Sequence, residues 1–131
     1  MRDPMLFYTT VPILLGGIPR EAGRLAAELY TAHGVDVHWF GRGRHLLLSI
    51  YAKRSPLNLT FAEENDGAWL RLLRDFEKQQ RHIGGISCLI PCSEAAEGFL
   101  NRMREALEDR FVLLPRPTAG EDPLYGLVHG H

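Results

Sequence analysis

The stretch between the first apolar run and the first helical pattern carries residue types that can bind phosphate. It contains three glycines and two arginines: Gly16, Gly17, Arg20, Gly23 and Arg24. In a phosphate loop, glycines let backbone N–H groups wrap the phosphate oxygens, a lysine reaches the terminal phosphates, and a Ser or Thr holds magnesium. These five residues are therefore the candidate cofactor-binding residues, as equivalents of a phosphate loop.

The stretch departs from that motif at three points. Gly17 and Gly23 are six residues apart, one more than the motif requires, and Arg24 stands near the lysine position. Leu25 stands near the Ser/Thr position, and a leucine cannot ligate magnesium. The alternative interpretation is a tight strand-to-helix turn followed by surface arginines.

Two other positions that nucleotide hydrolysis needs are also changed. Ser49 stands at the end of a predicted strand where an acid that holds magnesium is expected. Pro115–Thr118 stands where an Asn-Lys-x-Asp segment would read a guanine base. Because all three motifs are altered, we expect no catalytic residues, no bound cofactor and no metal site.

The cysteines and histidines form no recognisable site. Cys88 and Cys92 are four residues apart and can be a redox or metal pair, but a position in and just after a predicted buried strand favours two small buried side chains. The acidic stretch Glu63–Asp66 is typical of a solvated loop, with Asp66 as a helix cap. Four histidines show no ligand spacing: His33, His38, His45 and His82.

Composition narrows the classes of protein and of partner. The 131 residues fit one domain, and 15 basic against 16 acidic side chains give a formal net charge of −1, which does not favour nucleic acid as a partner. No run approaches the roughly 20 apolar residues of a membrane span. We expect a cytoplasmic protein without membrane insertion, which can still act at the inner face of the membrane.

Hydrophobic periodicity predicts five strands and three helices. The predicted strands are Met5–Leu15, Val35–Phe40, His45–Ala52, Ile83–Ile90 and Phe111–Leu114. The predicted helices run from Pro19 to the residue before Gly34, from Asp66 to about Gln80, and from Ser93 as cap through Leu107. Lys53–Ala62 is predicted to be a loop, and the two strands around Gly41–Arg44 are predicted to form a hairpin.

This order predicts an α/β fold of three layers. We expect a mostly parallel sheet with one antiparallel hairpin, in a Ras-like, P-loop-like layout truncated after the fifth strand. Residues 1–114 would form the single domain, and residues 115–131 a Pro/Gly-rich C-terminal tail. The truncation can leave one sheet edge uncovered, so a homodimer, a strand of a partner protein, or the tail, through residues such as Leu124, can cover it.

Several local sequences occur in the order of a known family. Val35–Phe40 precedes the apolar Leu46–Leu48, and Trp69–Ile86 runs from a Trp-Leu pair through basic residues to an Ile-x-Gly strand. With Val11–Leu25 as the phosphate-loop segment and Ser49–Arg54 in place of an Asp-Thr-Ala-Gly-Arg-Tyr segment, the chain resembles the cytoplasmic P-loop-like domain of the IcmF/TssM family of type VI secretion and related systems. The resemblance covers roughly residues 11–114 and implies a scaffold or docking role with protein partners, such as secretion-system components.

Three functions stay open from the sequence. The first is a protein-interaction or scaffold domain on a degenerate P-loop-like fold. The second is a GTP- or ATP-dependent switch in which Arg24 replaces the lysine and Glu63, Glu64 or Asp66 takes the metal. The third is a small transferase or hydrolase with a histidine base, for which the sequence offers no paired nucleophile.

Overall fold

A computed structural model describes residues 10–17, 19–42, 57–62, 65–117 and 123–124. The strands are β1 (Thr10–Leu15), β2 (Val37–Arg42), β3 (Leu57–Ala62), β4 (Ile86–Pro91) and β5 (Val112–Leu113). The helices are α1 (Pro19–His33), α2 (Asp66–His82), α3 (Glu94–Arg102) and α4 (Arg104–Leu107). The predicted α/β class is confirmed.

The described strands form one sheet in the order β3-β2-β1-β4-β5. Every described pair is parallel, which confirms the mostly parallel sheet. Since β2 pairs with β1 along one edge and with β3 along the other, these strands do not show the antiparallel hairpin or the Ras-like layout. The second strand of that hairpin, His45–Ala52, lies outside the described residues.

The loop predicted over Lys53–Ala62 is wrong at its C-terminal end. Leu57–Ala62 is a strand, and each of its six residues pairs with one residue of β2. Its alternating sequence, Leu-Asn-Leu-Thr-Phe-Ala, fits a strand. Pro56 makes the whole stretch look irregular, but a proline is tolerated just before a strand begins.

Helix ends follow local capping chemistry. α1 starts at Pro19 and is followed by Gly34 at φ 70°, as the sequence predicts. Ser93 caps α3 as predicted, because its Oγ accepts a hydrogen bond from the N–H of Ala96. The cap of α2 is not the predicted Asp66: the Oδ1 of Asn65 accepts from the N–H of Ala68 at 2.7 Å.

The third predicted helix is divided in two. α3 ends with Met103 as its C-cap, and the short α4 carries the chain to Leu107. Leu107 is nevertheless buried, as its helical spacing predicts.

Successive residues of the central strands face opposite layers, since side chains alternate along a strand. Leu14 and Ile90 pack under α1, whereas Ile13 and Leu89 pack under α2 and α3. Burial on both faces explains why β1 and β4 are mostly apolar, although β4 also buries Ser87. The helices therefore cover both faces of the sheet, in three layers.

The layer on the α1 side includes one residue from far along the chain. Leu124 is fully buried in the cluster that also holds Ala26, Leu29 and Trp39. At least this residue of the predicted tail therefore packs on the domain.

A buried acid joins α2 to the segment before β5. Glu77 is 3% exposed, and its carboxylate oxygens lie 3.7 Å from Arg81 Nε and 3.7 Å from Arg110 Nη1. Removing either arginine would weaken the neutralisation of a buried charge, which is costly in a protein interior. We therefore assign these three residues a structural role, in which the two arginines neutralise the buried charge of Glu77.

Candidate functional site

The C-terminal ends of β1 and β4 are the place to look for a ligand in this fold. In the sheet, β2 lies along one edge of β1, and β4 lies along the other edge. In open α/β sheets, ligands bind in the crevice where the strand order reverses in this way. The loop after β1 contains Gly16 and Gly17, and the loop after β4 contains Cys92 and Ser93.

These four residues, which we call the β1–β4 junction, lie in direct contact. A Cβ on Gly17 would lie 2.7 Å from the carbonyl oxygen of Cys92, and a Cβ on Gly16 would lie 2.8 Å from the Oγ of Ser93. Both glycines also have positive φ values, 67° for Gly16 and 87° for Gly17, which residues with side chains disfavour. The glycines therefore allow one loop to approach the other.

The polar backbone groups of Gly16 already have partners within the domain. Its N–H donates to the carbonyl of Phe40 at 2.8 Å, and its carbonyl accepts from the indole Nε1 of Trp39 at 2.8 Å. Gly41 makes room for this indole, because a Cβ at that position would overlap the Trp39 ring. The N–H of Gly16 is therefore not available to a phosphate oxygen in this arrangement.

The other predicted phosphate-binding residues belong to α1. Arg20 and Arg24 are exposed and lie one helical turn apart, so they share a face of the helix. Gly23 is buried within the same helix. The structure thus distributes the five residues between a packed turn and a helix, and phosphate binding by them stays a prediction.

Cys88 is buried in β4, and Cys92 is half-buried beside the cluster on the α1 side of the sheet. Their spacing along extended backbone corresponds to roughly 13 Å, beyond the reach of a disulfide. Burial raises the pKa of each thiol to about 12, and the Sγ atoms lie 4.0 Å from the carbonyl oxygen of Ile86 and 3.6 Å from that of Ile90, respectively. Such thiols are poor nucleophiles and poor metal ligands.

Among the described residues, neither the candidate histidine bases nor the position expected to read a nucleotide base forms a binding or catalytic site. Burial lowers the pKa of His38, whose ring packs edge-on against Phe76 at 4.6 Å. Arg116, where a base-reading segment is expected, lies 3.6 Å from Glu97 on α3. His45 lies outside the described residues. Within the described ranges no group of three or more His, Cys, Asp or Glu side chains could hold a metal ion.

Beside the closed junction lies an open cavity of about 620 Å³, which we call the α2–α3 groove. The N-termini of α2 and α3 both border it, with their caps Asn65 and Ser93 in its lining. Arg102 crosses from α3 to α2 and donates to the two carboxylate oxygens of Asp66 at 2.8 and 2.9 Å. These hydrogen bonds hold the pKa of Asp66 below its usual value.

The apolar part of the groove is formed by two aromatic residues. Trp69 and Phe99 contact edge to face, with ring centroids 5.3 Å apart. Trp69 is only 7% exposed, and its Nε1 is buried without a hydrogen-bond partner. The groove therefore combines an apolar wall with an unsatisfied donor in one of its lining side chains.

Sequence reasoning does not find this groove. Asp66 and Arg102 are 36 positions apart, so their pairing depends on how α2 and α3 pack side by side. Helical spacing places Trp69 correctly on the apolar stripe of its helix, and that position gives no hint that its N–H lacks an acceptor. The two N-cap residues are the signal available, because they mark where both helices begin.

Comparison with protein-family models, curated proteins and solved structures finds no match to this chain. The resemblance to the IcmF/TssM family therefore stays a prediction from the sequence. Among the described residues, no helix is long and apolar enough to cross a membrane.

Proposed function

We propose that this chain is a non-catalytic protein-interaction domain on a P-loop-like frame, which serves as a scaffold in a bacterial secretion system or another membrane-associated assembly. The secretion setting depends on the sequence resemblance alone. The interaction role is supported by the contrast at the C-terminal edge of the sheet, where the junction is closed and the neighbouring groove is open.

The closed junction is the observation that carries the proposal. A phosphate loop needs free N–H groups and space above them. Here Cys92 lies against Gly17, and the N–H of Gly16 donates to Phe40. A nucleotide could enter only if the loops after β1 and β4 separated and that hydrogen bond broke.

The open groove supplies a surface for a partner. It has an apolar wall and charged residues at its rim, a combination found at protein-binding surfaces. Helix N-termini and an exposed ion pair form its polar part, and the described geometry suggests no reaction for them. These features fit recognition better than catalysis.

The proposal includes a Ras-like layout for this frame. A Ras-like frame requires an antiparallel hairpin formed with His45–Ala52, which lies outside the described residues. Pairing of that segment with β2 would also require β3 to leave the edge that it occupies. The interaction role does not depend on this hairpin.

Calorimetric titration with GTP and with ATP, each with and without magnesium, tests the proposal. We expect no binding heat at millimolar nucleotide. A dissociation constant below about 100 μM, equivalent to roughly −5.5 kcal/mol, would overturn the proposal in favour of a nucleotide-dependent switch. In that case Arg24→Ala should weaken binding, whereas Arg104→Ala, an exposed arginine on the opposite layer, should leave it unchanged.

A further inference from the structure

One exposed face of α2 carries a row of basic side chains. The row contains four residues, spaced three, four and three positions apart: Arg71, Arg74, Lys78 and Arg81. This spacing keeps them on one face of the helix, away from the buried side that holds Trp69 and Leu73. The row extends over about 15 Å, at roughly 1.5 Å per residue. We call these four residues, together with Ile83 directly after the helix, the α2 basic face.

The charge of this row is only partly neutralised within the domain. Arg81 lies 3.7 Å from the buried Glu77, which lies equally far from Arg110. The other three side chains of the row form no ion pair with any residue that the structure describes. Asp75 is an exposed acid beside the row. The α2 basic face therefore carries an excess of positive charge in a chain whose formal net charge is −1.

The neighbouring helices limit the shape of an anionic partner. α3 and α4 cover the same side of the sheet as α2, because all three pack on one apolar cluster. These two helices and the residue after α4 expose three acids: Glu94, Glu105 and Glu108. A broad anionic surface, such as a lipid bilayer or a nucleic-acid duplex, would come close to these carboxylates as well as to the row. A narrow acidic chain that lies along α2 would avoid them.

An exposed apolar residue at the end of the row favours a polypeptide among narrow anionic partners. Ile83 is the C-cap of α2 and is 76% exposed. An apolar side chain of a partner protein could cover it and release the water around both groups. Single-stranded nucleic acid would instead need aromatic side chains on which its bases stack. The aromatic residues of α2, Trp69 and Phe76, pack inward on the core.

We infer that the α2 basic face binds a narrow acidic segment of a partner protein, with carboxylates opposite the row and one apolar side chain against Ile83. This inference rests on the proposed interaction function and assigns it a second surface, since none of these residues lines the α2–α3 groove. Exposed ion pairs each contribute little to binding, so we expect a weak interaction, with a dissociation constant of roughly 100 μM at low salt.

The test selects partner segments without fixing their sequence. A library of twelve-residue peptides, displayed in many copies so that weak binding is retained, is selected on the full chain and depleted on the double variant Arg74→Gln/Lys78→Gln. Glutamine has a helix propensity close to that of arginine and lysine, and both side chains are exposed, so this variant should fold. We expect the enriched peptides to contain several Asp or Glu residues and one large apolar residue.

Titration of the enriched peptides locates their site. Arg74→Gln/Lys78→Gln should bind them about tenfold more weakly than the parent, equivalent to about 1.4 kcal/mol, and Ile83→Ser roughly fivefold more weakly. The matched control is Arg20→Gln/Arg24→Gln, which removes two exposed charges from α1 on the opposite side of the sheet. It changes the net charge equally and should bind as the parent does. Binding should also weaken as salt is raised, because the charges are exposed.

Two kinds of result would overturn the inference. The first is failure to enrich acidic peptides, or equal affinity of the two double variants for them. The second is tighter binding of the chain to phosphatidylglycerol vesicles or to single-stranded DNA that Arg74→Gln/Lys78→Gln abolishes, because the occupant would then be a lipid surface or a nucleic acid. The broader interaction proposal fails on different evidence, namely tight nucleotide binding.

Discussion

The β1–β4 junction and the α2–α3 groove lie at the same end of the sheet, yet they use similar residues in opposite ways. Each contains a helix-cap residue and a glycine, and a tryptophan contacts the junction as another lines the groove. At the junction, Trp39 donates to Gly16 and the glycines let two loops touch. In the groove, Trp69 has no acceptor for its indole N–H, and Gly98 adds no side chain to the lining.

The difference shows how glycine can be misinterpreted in a sequence. A Gly-Gly pair after a strand is expected where a backbone must approach a phosphate, but it also serves where one loop must approach another. Gly17 serves the second purpose, because it lies against Cys92, which is 75 residues away along the chain (92 − 17). The Gly-Gly turn, which resembles a phosphate loop in sequence, is packed against another loop. The open groove lies instead between α2 and α3, which carry no recognisable binding motif.

The largest expected effect concerns the thiol at the junction. A pKa raised from 9.0 to about 12 lowers the thiolate fraction of Cys92 at neutral pH by about a thousandfold, and that of Cys88 equally. Iodoacetamide should therefore label neither thiol in the native protein over minutes, and both should react quickly in guanidinium chloride. Mass spectrometry of peptides would assign each site, and rapid native labelling of Cys92 would show that the junction opens.

The next largest effect should come from Gly17→Ala. Its methyl group would meet the Cys92 carbonyl at 2.7 Å in a backbone conformation that alanine disfavours, so we expect a loss of about 3 kcal/mol in the free energy of unfolding. Gly34→Ala is the matched control, since Gly34 also has a positive φ of 70° but a Cβ added there would meet no atom within 4 Å. It should cost only about 1 kcal/mol. Equal losses in urea unfolding would contradict the packed junction.

The two tryptophans give a direct measure of the contrast. Trp39→Phe removes a satisfied N–H and leaves the Gly16 carbonyl without its donor, so we expect a loss of about 2 kcal/mol. Trp69→Phe removes a donor that has no partner, so its loss should be smaller, about 1 kcal/mol, from reduced packing alone. Thermal or urea unfolding of both variants would check the order. A larger loss for Trp69→Phe would mean that its N–H is satisfied in solution.

The smallest effect should come from the ion pair at the groove. The pKa of Asp66 is lowered by Arg102, so the carboxylate stabilises the fold at pH values above its ordinary pKa and loses that contribution as the pH falls through the folded-state pKa. Asp66→Asn should therefore be slightly less stable than the parent near pH 7 and equal to it near pH 2. Because the pair is exposed, the difference should shrink in high salt. A difference that persists at pH 2 would point to packing instead of charge.

Much of the fold follows from local patterns. The apolar runs of β1 and β4, the stripe of Trp69 and Leu73, and the Ser93 cap predict their elements because each signal lies within a few residues. The loop assignment at Leu57–Ala62 fails because Pro56 makes the stretch look irregular, although its alternating sequence fits the strand that pairs with β2. Asn65 is easily overlooked as a cap because Asp66, beside it, is an equally good capping residue.

The candidate site could be predicted far less well than the fold. Its defining contacts join Gly17 to Cys92, Trp39 to Gly16 and Arg102 to Asp66. All three depend on which strands are neighbours and on how α2 and α3 pack, and a single sequence does not specify either. The phosphate-loop hypothesis is reasonable from residue types, and only the three-dimensional contacts reveal a competing use for its glycines.

The burial of Leu124 has a consequence for how the molecule is made. The last described strand ends at Leu113, but Leu124 fills a position in the core beside α1. A ribosome adds residues one at a time, and a nascent chain can fold as it emerges. A chain that has just released the five described strands would still lack this part of its core, so the α1 layer can close only after residue 124 has emerged.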